Sequence, residues 1–419
     1  MVTAIMLAVS LVLFLLRVPV SIAMGIATVI GFLILPMPIN IMATRMVDGV
    51  DGFALLAVPF FILAGSLMMQ GRFGEYLVNI ARLLVGNFKG GLGQVSIIGS
   101  VMFGGVSGSA VADASAMGNA LIPVQKNAGY PAGFAAAINS SSSTIAVLIP
   151  PSIPLILFGL VSNVSIIDLF VAGILPGLML GIGMFAAVWW VARRRNLPRS
   201  PLEGGFGAFR SQILAAIPAL LMPLFVIGTL RFGVATPTEV SVMAVAYALI
   251  VSGVFYRDLT LKGLWAAAVE TAMMTGAVMF IIMASSTIQW LLTAERVPQN
   301  LALWVTTAFS EKWMVILALN LVMLIVGAFL DLPAAVLLLG PLFVTIGQAI
   351  GLDLVQLGLM MVVNLSIGLY TPPVGTTLFI SAAIARVGIG ETVKALMPFY
   401  LVAMAVLLLI SYVPALTIY

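Results

Sequence analysis

Residues 139–154 read Asn139-Ser140-Ser141-Ser142-Ser143-Thr144-Ile145-Ala146-Val147-Leu148-Ile149-Pro150-Pro151-Ser152-Ile153-Pro154, inside a long apolar run. The stretch joins an unbroken series of hydroxyl side chains to a Pro-Pro pair. In lipid, a helix that breaks must satisfy its released N–H and C=O groups elsewhere, at several kcal/mol for each one left bare. Pro150-Pro151 is therefore tolerable only where the backbone lines a polar cavity or binds something. A second stretch repeats the arrangement: Asn364-Leu365-Ser366-Ile367-Gly368-Leu369-Tyr370-Thr371-Pro372-Pro373-Val374-Gly375-Thr376. Two interrupted helices at corresponding places in two halves of a chain point to the binding site of a secondary transporter.

Composition places the chain in a membrane. Of 419 residues, 62% are hydrophobic and only 8% charged, against about 25% charged in a soluble domain. Cysteine is absent, which removes disulfides, thiolate chemistry and Cys-based metal sites. Histidine is absent too, so the usual metal ligand, general base and proton relay near neutral pH are missing. The 24 Met and 40 Gly suit close helix packing in lipid. The excess of 18 Lys and Arg over 14 acids is read as topology, because no basic run with interleaved aromatics accompanies it. Residues 2–16 lack a charged leader and an Ala-x-Ala cleavage site and are expected as a retained helix.

Read in order, spans are expected at 2–16, 19–35 and 53–69, with a loop at 36–52 carrying Arg45, Asp48 and Asp51. Residues 71–90 read as an interfacial amphipathic helix. Residues 91–126 are too short for two spans and a loop. With Gly104-Gly105-Val106-Ser107-Gly108-Ser109 at their middle, they read as a hairpin that enters the membrane and turns back. The first broken helix covers 131–162, and a span at 168–192 ends in Arg193-Arg194-Arg195. After a polar linker at 193–211 the plan recurs. Spans are expected at 212–230, 237–255 and 263–292, then an amphipathic piece at 293–312. A hairpin at 313–350 turning near Gly327 to Leu332, a broken helix at 354–385 and a span at 395–415 complete it.

The recurrence holds residue by residue. Phe60 to Ser66 matches Phe280 to Ser286, Asp113 and Pro123 match Asp331 and Pro341, and Gly129 and Pro150-Pro151 match Gly351 and Pro372-Pro373. All share an offset of about 220 residues, the mark of an internal repeat. The fold class is thus all-α integral membrane: two inverted-topology repeats, about ten transmembrane helices and two re-entrant hairpins. The first repeat covers residues 1–192, with scaffold 1–90 and transport elements 91–192 that include hairpin 91–126. The second covers 212–419, with scaffold 212–312 and transport elements 313–419 that include hairpin 313–350. Placing linker 193–211 in the cytoplasm puts Arg17, Arg72, Arg82, Lys89, Lys126, Arg257, Lys262, Arg386 and Lys394 inside as well. Only Arg45, Arg231, Arg296 and Lys312 fall outside, so both termini are expected on the outer side.

The breaks and hairpin turns supply neutral oxygens of the kind a bare Na⁺ needs, and half-helix N-termini supply N–H groups for an anion. One Na⁺ site would combine Ser107 and Ser109 with Ser143, Thr144 and carbonyls before Pro150. The other would combine Gly327 with Gly368, Thr371 and Val374. Substrate would lie between, near Asn139, Ser140, Ser152, Asn364, Thr376 and Thr377. The bland alternative for the serines is helix packing. Asp113 and Asp331 are intramembrane acids, functional by default, with a capping or hinge-fixing role as the alternative. Glu239, after Thr236-Pro237-Thr238, reads as a first-turn acid, and Trp189 and Trp190 as interfacial anchors. The Gly-rich stretch 86–93 lacks a Gly-Lys-Ser/Thr pattern, so no nucleotide site is expected. No catalytic residue is expected; the enzyme alternative, an aspartyl pair of Asp113 and Asp331, requires acids in opposite-facing hairpins to share a proton.

Four motifs together carry a family resemblance: Ala235-Thr236-Pro237-Thr238-Glu239, Phe103-Gly104-Gly105-Val106-Ser107-Gly108-Ser109, Ile149-Pro150-Pro151-Ser152 and Tyr370-Thr371-Pro372-Pro373-Val374-Gly375. The chain resembles the large membrane subunit of tripartite ATP-independent periplasmic (TRAP) transporters over essentially its whole length. The resemblance implies an elevator mechanism in the bacterial inner membrane, with Na⁺ driving import of organic acids such as dicarboxylates or sialic acid. It implies a small four-helix membrane subunit and a periplasmic substrate-binding protein as separate partners. It carries the Na⁺ positions onto Ser107, Ser109 and the carbonyls near Ala146 and Pro150, and onto Gly327, Gly368, Thr371 and Val374. The family's hairpin acids fall on Asp113 and Asp331. A self-sufficient carboxylate transporter, which shares the Pro-Pro breaks, is the remaining alternative.

Overall fold

The structure, a computed structural model, describes residues 2–16, 18–35, 37–200, 206–309 and 311–417, which form helices and no strands. The first half runs α1 (Val2–Leu15), α2 (Val20–Ile34), α3 (Asn40–Val50), α4 (Ala57–Met69), α5 (Phe73–Val85), α6 (Gly91–Ser107), α7 (Ala110–Asn127), α8 (Ala132–Ser142), α9 (Ile153–Ser162) and α10 (Ile166–Arg194). The second runs α11 (Phe206–Arg231), α12 (Pro237–Ile250), α13 (Leu261–Ala294), α14 (Val297–Ala308), α15 (Lys312–Gly327), α16 (Leu332–Ala349), α17 (Leu354–Gly368), α18 (Thr376–Ala385) and α19 (Ile389–Tyr412). The sequence-derived linker falls partly on 201–205, outside the described residues, as does Arg17.

Local chemistry sets many of the boundaries. Ser109, Ser152, Ser165 and Thr260 cap α7, α9, α10 and α13 by accepting backbone N–H bonds. Thr236 and Glu239 form a reciprocal capping box on α12, the structural role expected of that acid. Gly108, at φ +57°, takes the left-handed turn between α6 and α7 that a side chain would resist. The second hairpin turns between Gly327, the end of α15, and Leu332, the start of α16, where the sequence placed it.

The broken helices lie at the centre. α8 is buried from Gly133 to Ser142 and α17 from Val355 to Gly368. After α8 a 3-10 turn, Ser143–Val147, leads to a cis Pro150-Pro151 bond and then α9. Likewise a cis Pro372-Pro373 bond separates α17 from α18. At the opposite extreme, α3 has no buried residue, and exposed Trp265, Met273 and Phe280 leave much of α13 facing outward.

One expectation changes. Residues 36–52 do not stay a loop: α3 forms there, carrying an Arg45–Asp48 ion pair at 3.6 Å one turn apart, and bends 59° into the helical run Phe53–Met69. The half-buried apolar Ile41, Met42, Met46 and Val50 give that segment a helical face which the charges obscured. Five described helices are long and apolar enough to cross a membrane alone, or six if that bent pair is one span. Breaks cut the broken-helix segments expected at 131–162 and 354–385 into shorter pieces.

Gly368 packs so closely on Gly327 that an added Cβ would collide with the Gly327 carbonyl. Gly368→Ala should therefore lower stability by about 1–3 kcal/mol, read as a reduced thermal-unfolding midpoint in detergent. Gly388→Ala, which meets nothing within 4 Å, should leave it unchanged; equal losses would contradict the packing.

Candidate functional site

The hydroxyl run of the first break is folded back on its own backbone. Ser141 Oγ donates to the Ala137 carbonyl at 2.8 Å, Ser143 Oγ to Ser140 at 3.0 Å and Thr144 Oγ1 to Ser141 at 2.7 Å. These bonds satisfy carbonyls as the helix tightens, which is how a chain ends a helix inside an apolar core. Each hydroxyl oxygen still has lone pairs to offer. Ser152 bonds the Val147 carbonyl across the Pro-Pro turn and caps α9 through Leu155 N–H at 3.3 Å.

The tip of the first hairpin presses onto this break. A Cβ on Gly104 would strike Ala146, and one on Gly108 would strike the Pro151 carbonyl. Ser107 and Ser109 flank Gly108, and Ser100 Oγ donates to Ser142 Oγ at 3.1 Å. Ser107, Ser109, Ala146 and the Pro150-Pro151 turn are therefore brought together. Ser143 and Thr144 lie on the same break, with their protons directed to backbone.

The second break meets the second hairpin in the same fashion. Gly368 abuts Gly327, and Val374 N–H donates to the Ala328 carbonyl at 3.2 Å. Thr371 N–H bonds the Gly368 carbonyl at 3.0 Å, while its Oγ1 donates to Ile367 at 2.7 Å. Gly327, Gly368, Thr371 and Val374 are thus brought together where the second break meets the second hairpin.

Thr377 ties the two breaks together. Its Oγ1 lies 3.0 Å from the Ser140 carbonyl and 2.9 Å from the Leu369 carbonyl. One hydroxyl has one proton, so the two carbonyls share it. Thr376 Oγ1 is buried with no partner among the described residues. Asn139 and Asn364, expected near substrate, each commit their amide nitrogen to the neighbouring hairpin or break. Asn139 Nδ2 is spent on the Ala114 carbonyl at 2.8 Å and Ser381 Oγ at 2.9 Å. Asn364 Nδ2 is spent on the Asn320 carbonyl and Oδ1, both at 2.9 Å. Each amide clamps a broken helix to the hairpin beside it, leaving only Oδ1 unpartnered. Asn320, Ser381 and Ser100 were missed by sequence reading; the lone amide in the otherwise apolar α15 was the available signal.

Asp113 is fully buried in the first turn of α7, with the Ser100 hydroxyl, whose proton points to Ser142, beside its carboxylate. A bare buried carboxylate is costly unless it is protonated or lies near a cation. Asp331 starts α16 and lines a cavity of about 230 Å³. Gly108 and Ser109 of the first hairpin, Asp331 and Leu332 of the second, Val147 and Leu369 of the breaks, and Met274 and Ile281 of α13 share that cavity. Asp113 is not among its lining residues, so the two acids do not form a pair there. No group of three or more His, Cys, Asp or Glu side chains converges among the described residues. The oxygens gathered at the breaks are instead neutral hydroxyls and carbonyls, a set suited to a hard monovalent cation.

A family model described as tripartite ATP-independent periplasmic transporter, DctM component, matches residues 7–416. The chain is 37% identical to the 2,3-diketo-L-gulonate TRAP transporter large permease protein YiaN of Escherichia coli, covering 91% of this chain and 89% of that one. It is 34% identical to the C4-dicarboxylate TRAP transporter large permease protein DctM of Pseudomonas aeruginosa, covering 91% and 90%. Among solved structures, the YdaH transporter of Alcanivorax borkumensis aligns with a TM-score of 0.62 over 89% of this chain and 88% of that one, at 14% identity. That last likeness is one of fold.

Thr377→Val removes the shared proton, yet Ser140 keeps its bond from Ser143 and Leu369 keeps two backbone N–H bonds. The expected loss is therefore modest in stability, about 0.5–1.5 kcal/mol, read as the thermal-unfolding midpoint. Thr377→Ser should retain the wild-type value; a valine variant as stable as wild type would remove this bond from the account.

Proposed function

The chain belongs to the DctM component family of tripartite ATP-independent periplasmic transporters, as a large permease subunit, and on that premise we propose that it is the Na⁺-coupled membrane path of an organic-acid importer. The observation that carries the reading is the cavity where both hairpin tips, both breaks and α13 meet. A site framed by unwound backbone is where a secondary transporter holds ion and substrate.

In this reading one Na⁺ binds Ser107, Ser109 and the carbonyls near Ala146 and Pro150, with Ser143 and Thr144 shaping the break. A second binds Gly327, Gly368, Thr371 and Val374. The buried carboxylate of Asp113 gains a cation nearby, and the substrate carboxylate is held by Thr376, oriented N–H groups and Na⁺ rather than by a basic side chain, with Ser152 shaping the first break beside it. Asn139, Ser140, Asn364 and Thr377 hold the breaks in register and position these groups. The two halves are inverted repeats. The elements 91–192 and 313–419 move as one body against the scaffold 1–90 and 212–312, carrying the site across the bacterial inner membrane. Both termini face the periplasm, where a binding protein delivers the acid, and a small four-helix membrane subunit braces the scaffold. Substrates follow those of the similar permeases in class, a dicarboxylate or sugar acid, with the binding protein making much of the selection.

The test is uptake into proteoliposomes holding this chain, its small membrane subunit and its binding protein. Uptake should require an inward Na⁺ gradient and should vanish when choline replaces Na⁺ or the binding protein is omitted. Na⁺-independent uptake would overturn the coupling, and uptake without the binding protein would favour a self-sufficient carboxylate transporter. Within that assay, Thr371→Val should raise the Na⁺ concentration for half-maximal uptake about three- to tenfold, the loss of one hydroxyl contact. Ser66→Ala should not; an unchanged Na⁺ dependence in Thr371→Val removes that side chain from the site.

A further inference from the structure

The transport reading leaves unused a cluster at the C-terminal end of α10. Arg193 stacks over the Trp189 ring at 4.0 Å, and Arg194 over Trp190 at 4.1 Å. Arg193, Trp189, Lys89 and Arg199 border one cavity of about 610 Å³. Backbone bonds fix its walls: Gly90 N–H to the Pro198 carbonyl at 3.1 Å and Ser200 N–H to Gly86 at 2.9 Å. A second cavity, of about 230 Å³, gathers Arg194, Arg195 and Lys394 beside Trp190. None of these cations meets a carboxylate among the described residues. The acid on the neighbouring helix, Glu391, is engaged with Gly133 N–H at 3.1 Å.

Cations gathered without acids repel one another unless an anion joins them. A guanidinium stacked on an indole keeps its N–H edge available for bidentate bonding to a phosphate. What distinguishes this cluster from a free-anion site lies along the helix. Leu175, Leu178, Ile182 and Trp189 recur at helical spacing on the exposed face of α10 and lead to Arg193, with Ile182 71% exposed. An apolar stripe that ends in an indole and then a cationic pocket has the layout of an acyl chain below a headgroup.

We propose that the α10 terminus binds an anionic phospholipid, its phosphate in the Lys89–Arg193–Arg199 pocket and an acyl chain along Leu178 and Ile182. The Trp190 side offers a second cationic pocket of the same make. The site depends on the chain's membrane setting and not on how transport is coupled.

The experiment titrates the detergent-purified full chain with short-chain phosphatidylglycerol, short-chain phosphatidylcholine and inorganic phosphate, reading bound adducts by native mass spectrometry. Phosphatidylglycerol should bind more tightly than phosphatidylcholine. Arg193→Gln with Arg199→Gln should weaken it by about fivefold for each charge removed, while the same double neutralisation at Arg45 and Arg231 should not. Phosphatidylglycerol with brominated acyl chains should quench tryptophan emission in the wild-type chain, and less so in Trp189→Phe, which needs no charge removed. Equal binding of the two lipids, competition by inorganic phosphate at matched concentration, or quenching indifferent to Trp189 would each overturn the proposal.

Discussion

A peptide group in an apolar interior must find a hydrogen-bond partner, and the rest of this structure follows from where that rule is put under load. An uninterrupted helix meets it internally. Here the helices that break are the two most deeply enclosed, with Ser140 to Ser143 and Asn364 fully buried. Their released carbonyls are recovered by hydroxyls three or four residues on, by the Ser152 hydroxyl across the first Pro-Pro turn and N–H groups across the second, and by Thr377 Oγ1, which reaches from one break to the other.

This satisfaction is incomplete in a particular way. The protons of Ser140 to Thr144, Ser152, Thr371 and Thr377 are directed at backbone carbonyls, whereas Thr376 Oγ1 and the Oδ1 atoms of Asn139 and Asn364 are without partners among the described residues. What is left over at the breaks is thus weighted toward acceptors. An enclosed region rich in unpaired oxygens and poor in donors attracts a cation. The hairpins supply further oxygens because glycines at 104, 108, 327 and 368 let backbone approach backbone. The account of sodium coupling therefore grows from an imbalance of lone pairs over protons at the breaks.

Much of this was readable in the sequence because proline, glycine and buried acids carry large local penalties that leave marks. Pro150-Pro151, Pro372-Pro373 and the turn from Gly327 to Leu332 fell where the residues placed them. So did the capping box of Thr236 and Glu239. Features set by long-range partners were not readable. α3 was hidden because its charges lie on an exposed face. That the amide nitrogens of Asn139 and Asn364 hold helices together depends on the positions of Ala114, Ser381 and Asn320. That Thr377 joins the breaks depends on the approach of chain segments far apart in sequence, which no local pattern encodes.

The central claim is that the paired breaks grip sodium with neutral oxygens. The most direct measurement is a pair of high-resolution density maps of the assembled transporter, one in sodium and one with choline replacing it. The sodium map should hold compact peaks within coordination distance of Ser107, Ser109 and the Ala146 and Pro150 carbonyls, and of Gly327, Gly368, Thr371 and Val374, and both should be missing in choline. Identical maps at these positions, or peaks only elsewhere in the protein, would contradict it.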